Sequence, residues 1–335
     1  MEMTSNQIVL AGKPAGQLTT DVFEHRTVDV ASPGDGEVLV RGLLLSIDAA
    51  MRAWMSGPVV YHDGVGGGEV MHGRVLAEVV ESNYPDLKPG DIVEADMGWQ
   101  TLAVMPGKRL HHWPQPTEQL SHLISLLGIA GKTAYHGLLN VAGIKEGETL
   151  LVSAAAGSVG SIVCQIGKIK GARVIAVAGG ADKCAWLKDE LGVDAAVDYK
   201  APKLTKAIAE AAPDGVDVYF DNTGGPILEA ALRVMNNFGR ISCCGAVSQY
   251  DTDNPQGARG VPGTIVVKRL RMQGFVVMDF ADQDPQAEAD LTAWAADGRL
   301  KVQEDIVDGL NNAPEALIDL LAGGNRGKRM VRLAG

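Results

Sequence analysis

The stretch LLVSAAAGSVGSIVCQIGKIKGARVIAVAGG, residues 150–180, decides how this chain of 335 residues folds. Its first eighteen residues carry no charge, so it reads as a membrane span, a core segment or a phosphate loop. A span needs about 20 predominantly apolar residues. Here Gly157, Gly160, Gly167 and three serines interrupt the run, and the pattern changes from strand to helix at Ala155. The membrane reading fails on both counts. Strand, glycine turn and helix is the reading that remains. Ala155-x-Gly157-x-x-Gly160 has the spacing of the dinucleotide fingerprint, with Ala in the first position. Gly157 would let the backbone approach a pyrophosphate, and Gly160 would allow close helix–strand packing. The amides at the helix start, at its positive dipole end, would face the phosphates. A tight strand–helix turn with no ligand is the alternative for the motif taken alone.

The surroundings supply the context the motif needs. From about Leu120 short apolar strands alternate with amphipathic helices, the signature of a parallel sheet covered on both faces. Val159, Ile162, Val163, Ile166 and Ile169 mark one helical face after the first strand. RVIAVAG, AAVDY, DVYFDN and GRISCCGAVS read as further strands, and MQGFVVMDF as a sixth. The part before residue 120 reads as irregular β structure, and EDIVDGL and GKRMVRL near the C-terminus resume that style. The expectation is an α/β protein. A Rossmann-type doubly wound parallel sheet over residues 123–299 interrupts a discontinuous β-rich, GroES-like substrate domain of residues 1–122 and 300–335.

In an NAD-binding unit the acid that holds the ribose hydroxyls stands about 20 residues after the glycines, at the end of the second strand. That place falls on Gly179 and Gly180. Without a carboxylate there, nothing repels a 2′-phosphate. Lys183 adds a positive charge, and Tyr199, closing the third strand, adds a hydroxyl. Asp182 complicates this reading, unless it serves as a helix cap; Lys183 also has a plain reading as a solvated surface lysine. The balance selects NADP(H).

A net charge of −11 argues against nucleic-acid and anionic-membrane partners. The four cysteines, Cys164, Cys184, Cys243 and Cys244, have no disulfide or zinc-knuckle spacing. With no basic, apolar leader in MEMTSNQIVL, the expectation is a cytoplasmic protein.

These residues together resemble the medium-chain dehydrogenase/reductase superfamily, in its zinc-independent branch of prostaglandin reductases, 2-alkenal reductases and curcumin reductase-like enzymes. The likeness is carried in order by LSID, MR, GEVM, GKTAYHGL, KEGETLLVSAAAGSVGS, QIGKIKGARVIAVAGG, DVYFDNTGG, CCGAVSQY and GGNRGK. The resemblance implies that Gly157, Ser158, Val159 and Gly160 hold the pyrophosphate, and that Lys183 and Tyr199 bind the 2′-phosphate. It places Asn222, the loop of Cys244, Gly245, Ala246, Val247, Ser248 and Tyr250, then Phe275, Val276, Val277 and Asn325 around the cofactor. Each also has an ordinary reading, Asn222 and Asn325 as turn residues and residues 275–277 as strand core.

The zinc enzymes of the superfamily need Cys and His ligands in the N-terminal domain. This region has no Cys, and Gly68-Glu69-Val70 stands where the usual histidine would be. No zinc site is expected, and His72, His111 and His112 read as packing or surface residues. The implied reaction is NADPH-dependent reduction of the C=C bond of an α,β-unsaturated aldehyde or ketone. Hydride goes to the β-carbon and the enolate is then protonated, with Tyr250 as the candidate proton donor; a lid-like aromatic is its other reading. Tyr61 keeps a family spacing near the substrate, whereas Ala50 replaces a tyrosine of the usual DPYMR pattern, which implies a wider, less polar pocket. Lys132 stands where the family has an apolar residue, and the sequence offers no account of it. An NADPH quinone oxidoreductase and a non-catalytic NADPH-binding protein are the alternatives. An apolar GFVVMDF strand at a sheet edge, together with the resemblance, implies a homodimer.

Overall fold

Thr149–Val152 is buried at every position, because it lies mid-sheet with layers packed on both faces. The computed structural model describes residues 3–114, 117 and 119–333. These fall into two units, one of Met1–Ser125, Glu304–Gly324 and Lys328–Gly335, the other of Leu126–Gln303 and Asn325–Gly327.

The second unit is built on a six-stranded parallel sheet. Its spatial order is Ala195–Asp198, Arg173–Ala178, Thr149–Val152, Val216–Asp221, Met235–Cys243 and Arg271–Gly274. In chain order this is the 3-2-1-4-5-6 arrangement, which reverses direction between Thr149–Val152 and Val216–Asp221. Ligands of open α/β sheets bind at the carboxyl ends of the strands flanking that reversal. Leu151, Ile175, Val177 and Tyr219 form part of the core here, each such buried side chain worth about 1.5–3 kcal/mol of transfer free energy. The helix Ser158–Ile169 buries Ile162, Val163 and Ile166, while Val159 and Ile169 are half-buried at its ends.

One strand differs from expectation. The sixth is only Arg271–Gly274, and MQGFVVMDF does not continue it: Val277–Gln283 forms a 3-10 turn, with no buried residue. A short apolar run has no periodicity that separates strand from other structure. These side chains are also half-exposed rather than covered on both faces. The helix Val261–Lys268 precedes it, where the sequence suggested only a polar loop.

The first unit carries a seven-stranded sheet. Glu304–Asp308 pairs with Lys328–Arg332, which pairs antiparallel with Glu37–Ser46, so the C-terminal segments complete the N-terminal sheet. A two-stranded ribbon, Met3–Leu10 with Phe23–Val30, stands beside it in the topology. Its core includes Ile8, Leu10, Val38, Leu45, Met51 and Trp99. Among the described residues no helix is long and apolar enough to cross a membrane.

Candidate dinucleotide-binding site

The turn after Thr149–Val152 is closed by backbone bonds. Ala155 N donates to Val177 O at 3.0 Å and Gly157 N to Ala154 O at 2.9 Å. Ala154 takes the left-handed conformation at φ 46. Gly157 is the N-cap of the helix Ser158–Ile169, in an ordinary extended conformation, φ −83 and ψ −179. The two glycines of the motif differ in kind. A Cβ at 160 would overlap the Ala154 carbonyl oxygen and stand 2.8 Å from Ala155 Cα. At 157 it would meet only that oxygen, at 3.2 Å. Packing therefore demands glycine at 160, whereas at 157 the protein makes only a mild demand.

Residues 325–327 belong to this unit and lie along the same turn. Gly327 N donates to Ala156 O at 2.8 Å, and Gly157 and Gly327 form a parallel bridge. Asn325 is buried and donates from Nδ2 to Gly327 O at 2.8 Å. The Lys183 ammonium donates to the Asn325 carbonyl. Arg326 lays its guanidinium over the Trp186 ring, 5.4 Å from the centroid. Thus a second cation, which sequence spacing did not reveal, joins the helix Ala181–Asp189 that carries Lys183.

Tyr199 reaches over Gly179: a Cβ there would be 2.9 Å from its Cε1 and 3.1 Å from its hydroxyl. Asp182 is no cap, since the N-cap is Gly180 and no side chain bonds there. Nor is the neighbourhood free of carboxylates. Asp198, at the end of the third strand, accepts from the amides of Gly180 and Lys200, both at 2.9 Å through Oδ1. Those two bonds hold its carboxyl below the usual range.

At the reversal point the centre is Asp221, which the sequence reading missed. It is buried, and its Oδ1 accepts from Tyr219 Oη at 2.8 Å, Thr223 N at 2.9 Å and Gly224 N at 2.8 Å. A carboxylate directly before an Asn-Thr-Gly turn was the available signal. Asn222 ties the two strand ends together: its Nδ2 donates to Ser153 O at 2.7 Å and its N to Ser153 Oγ at 3.0 Å. The following loop is hung on this turn. Cys244 N and Gly245 N donate to Asp221 O, Val247 N to Asn222 O, and Ser248 Oγ to Thr223 O at 2.6 Å. Burial, helped by Asp221 and Cys243, pushes the Cys244 thiol up to about 12, so it is not an ionised nucleophile near neutral pH.

Tyr250 folds back on this loop. Its hydroxyl accepts from Ala246 N at 3.1 Å and lies over Gly245. Accepting that bond leaves the phenolic proton to donate. Phe275 packs edge-on against Phe220 at 6.4 Å, and a Cβ at Gly137 would stand 2.5 Å from its ring. Val276 is half-buried, and its carbonyl takes the Asp279 amide at 3.0 Å as the turn from Val277 begins.

In the first unit Ala50 is half-buried at the start of the helix Ala50–Trp54, and Tyr61 is exposed in the turn between Val59 and His62. Asp48, just before that helix, pairs at 2.5 Å with the buried Lys328. His62 stacks on Trp54 at 4.0 Å and meets His72 at 3.2 Å. Burial and then His72 hold the His62 ring below its usual value. Glu69 and Val70 line a cavity of about 820 Å³ with Asp63, His72 and Asp96. That lining is too acidic to suit an apolar carbonyl compound.

Comparison with known proteins agrees with this architecture. A profile described as the N-terminal domain of oxidoreductases matches residues 6–113, and one described as zinc-binding dehydrogenase matches residues 158–294. The chain is 41% identical to the NADPH-dependent curcumin reductase of Escherichia coli, over 98% of this chain and 96% of that protein. It is 42% identical to bovine prostaglandin reductase 1, over 95% of each. The chain belongs to the medium-chain dehydrogenase/reductase superfamily. The structure of CurA from Vibrio vulnificus in complex with NADPH superposes with a TM-score of 0.94 at 39% identity, covering 98% of this chain and 99% of that one. The second profile's description mentions zinc. Among the described residues of this superfamily member, no group of three or more His, Cys, Asp and Glu side chains is placed to hold a metal ion.

Proposed function

We propose that this protein is a cytoplasmic, zinc-independent, NADPH-dependent reductase of the C=C bond of α,β-unsaturated aldehydes and ketones. The carrying observation is the contrast between Gly157 and Gly160. Tight packing explains the second; close approach of a ligand phosphate to the backbone explains the first. The rest of the site fits a 2′-phosphorylated dinucleotide. The first amides of the helix Ser158–Ile169, those of Ser158, Val159 and Gly160, suit a pyrophosphate. Lys183 and the Tyr199 hydroxyl flank Gly179 and Gly180, where an NAD-type unit would carry an acid. Asn222, residues 244–248, residues 275–277 and Asn325 line the remainder. The curcumin and prostaglandin reductases named above support the reaction class.

When bound, NADPH supplies hydride to the electron-poor carbon of a conjugated C=C bond. The chain's task is then to stabilise the charge that grows on the carbonyl oxygen and to deliver a proton. Tyr250 fits that task, since its hydroxyl accepts from its own loop and keeps its proton for donation. Ala50 and Tyr61 form part of the substrate wall. Four unbonded thiols fit a reducing compartment. The short edge strand Arg271–Gly274 and the exposed Val266 and Val267 before it support a homodimer.

The direct test is NADPH oxidation with alkenals, cyclic enones, curcumin-like dienones and quinones, repeated with NADH. Turnover of enones or alkenals with NADPH is expected. Activity confined to quinones, or tight NADPH binding with no oxidation, would overturn the reading.

A further inference from the structure

Lys132 is unexplained by the sequence, and the structure gives it a setting. Its ammonium lies 2.7 Å from Glu288 and 3.0 Å from Asp284, with 16% of the side chain exposed. Asp284 also meets Nε2 of the fully buried His136 at 3.1 Å. His136 stacks flat on Phe280, centroids 4.9 Å apart. Phe280 in turn meets Phe275 edge-on at 6.4 Å, and Phe275 meets Phe220, the neighbour of Asp221. Asn140 strengthens the same joint, donating to Gln283 at 2.7 Å.

A cation sunk between two carboxylates is a weak source of stability, because desolvation offsets much of the attraction. Its stronger effect is geometric. It fixes the start of the helix Asp284–Ala296 and, with it, the 3-10 turn Val277–Gln283. The sheet order puts the adenosine-side residues on the second and third strands and the phosphate turn on the first. Residues 275–277 follow the sixth, on the other side, so a dinucleotide crossing the turn would bring its nicotinamide half there.

We propose that Lys132 is a positioning residue for the nicotinamide wall, acting through Asp284, His136 and Phe280 on the ring of Phe275. This rests on the NADPH-dependent function proposed above. The test uses the full chain: wild type, Lys132→Met and Lys132→Arg, each titrated with NADPH and with adenosine 2′,5′-bisphosphate, alongside thermal unfolding. Lys132→Met is expected to weaken NADPH roughly three- to tenfold, with the bisphosphate changed less than about twofold, because only the wall is displaced. Lys132→Arg should recover most of the loss. Equal losses for both ligands, or none for NADPH, would overturn the proposal. If Lys132→Met does not fold, Glu288→Gln should show a smaller split of the same sense, and its absence has the same force. Wild type that fails to bind NADPH would instead remove the proposed function, and this inference with it.

Discussion

The Lys183 ammonium donates to the backbone carbonyl of Asn325, a residue 142 positions away in the chain. A cation on the helix after the second strand is thus held beside the segment that lines the phosphate turn. Lys183→Ala should weaken NADPH by about 1–3 kcal/mol, roughly 5- to 100-fold, and leave NADH nearly unchanged. Parallel titrations measure the ratio; an unchanged preference removes Lys183 from 2′-phosphate recognition.

The two glycines of the turn should part company. Gly160→Ala forces a methyl into the Ala154 carbonyl and should cost about 1–3 kcal/mol in urea unfolding. Gly157→Ala keeps an ordinary φ of −83 and should cost under about 1 kcal/mol, yet lower NADPH affinity about tenfold or more, since the methyl stands where phosphate would approach. Equal stability losses in the two variants would contradict the steric distinction.

Tyr250→Phe deletes the phenolic proton and the acceptor of the Ala246 amide. With saturating NADPH, the enone turnover number should fall about 100-fold if the phenol is the acid. A turnover number that hardly moves assigns protonation to solvent. Melting of the variant checks that the loop survives.

The Asp48–Lys328 pair makes a pH prediction. Burial pushes the Asp48 carboxyl up, but the charge and hydrogen bond of Lys328, with a bond from Ser46, outweigh it and leave the group below its model value of 3.8. The folded-state value is depressed, so the pair's contribution is complete above the unfolded value and is lost as pH falls through the folded one. Lys328→Met should cost about 1–3 kcal/mol at neutral pH, because Asp48 is a third exposed and partly screened. Its deficit should shrink near about pH 4, where the orphaned carboxyl protonates. Urea midpoints at the two pH values decide it; a constant deficit contradicts the ion-pair account.

Much of the second unit is legible in the chain. Parallel strands buried on both faces are continuous apolar runs, and the helix Ser158–Ile169 shows its buried stripe at Ile162, Val163 and Ile166. The MQGFVVMDF segment misled because an apolar run without a period does not distinguish a strand from a half-exposed turn. Asp182 misled for a related reason. Helix-start residues favour caps on average, but here the N-cap is Gly180.

Local order was enough for the Rossmann alternation, the glycine turn and the lysine at 183, because each is a relation among residues a few positions apart. Only the tertiary structure joined Asn325 to Lys183, Arg326 to Trp186, Asp198 to the Gly180 amide and Lys132 to Asp284. Such contacts link residues distant along the chain and have no period. They exist once burial of the two cores has set the strand order, so nothing short of the folded chain could reveal them.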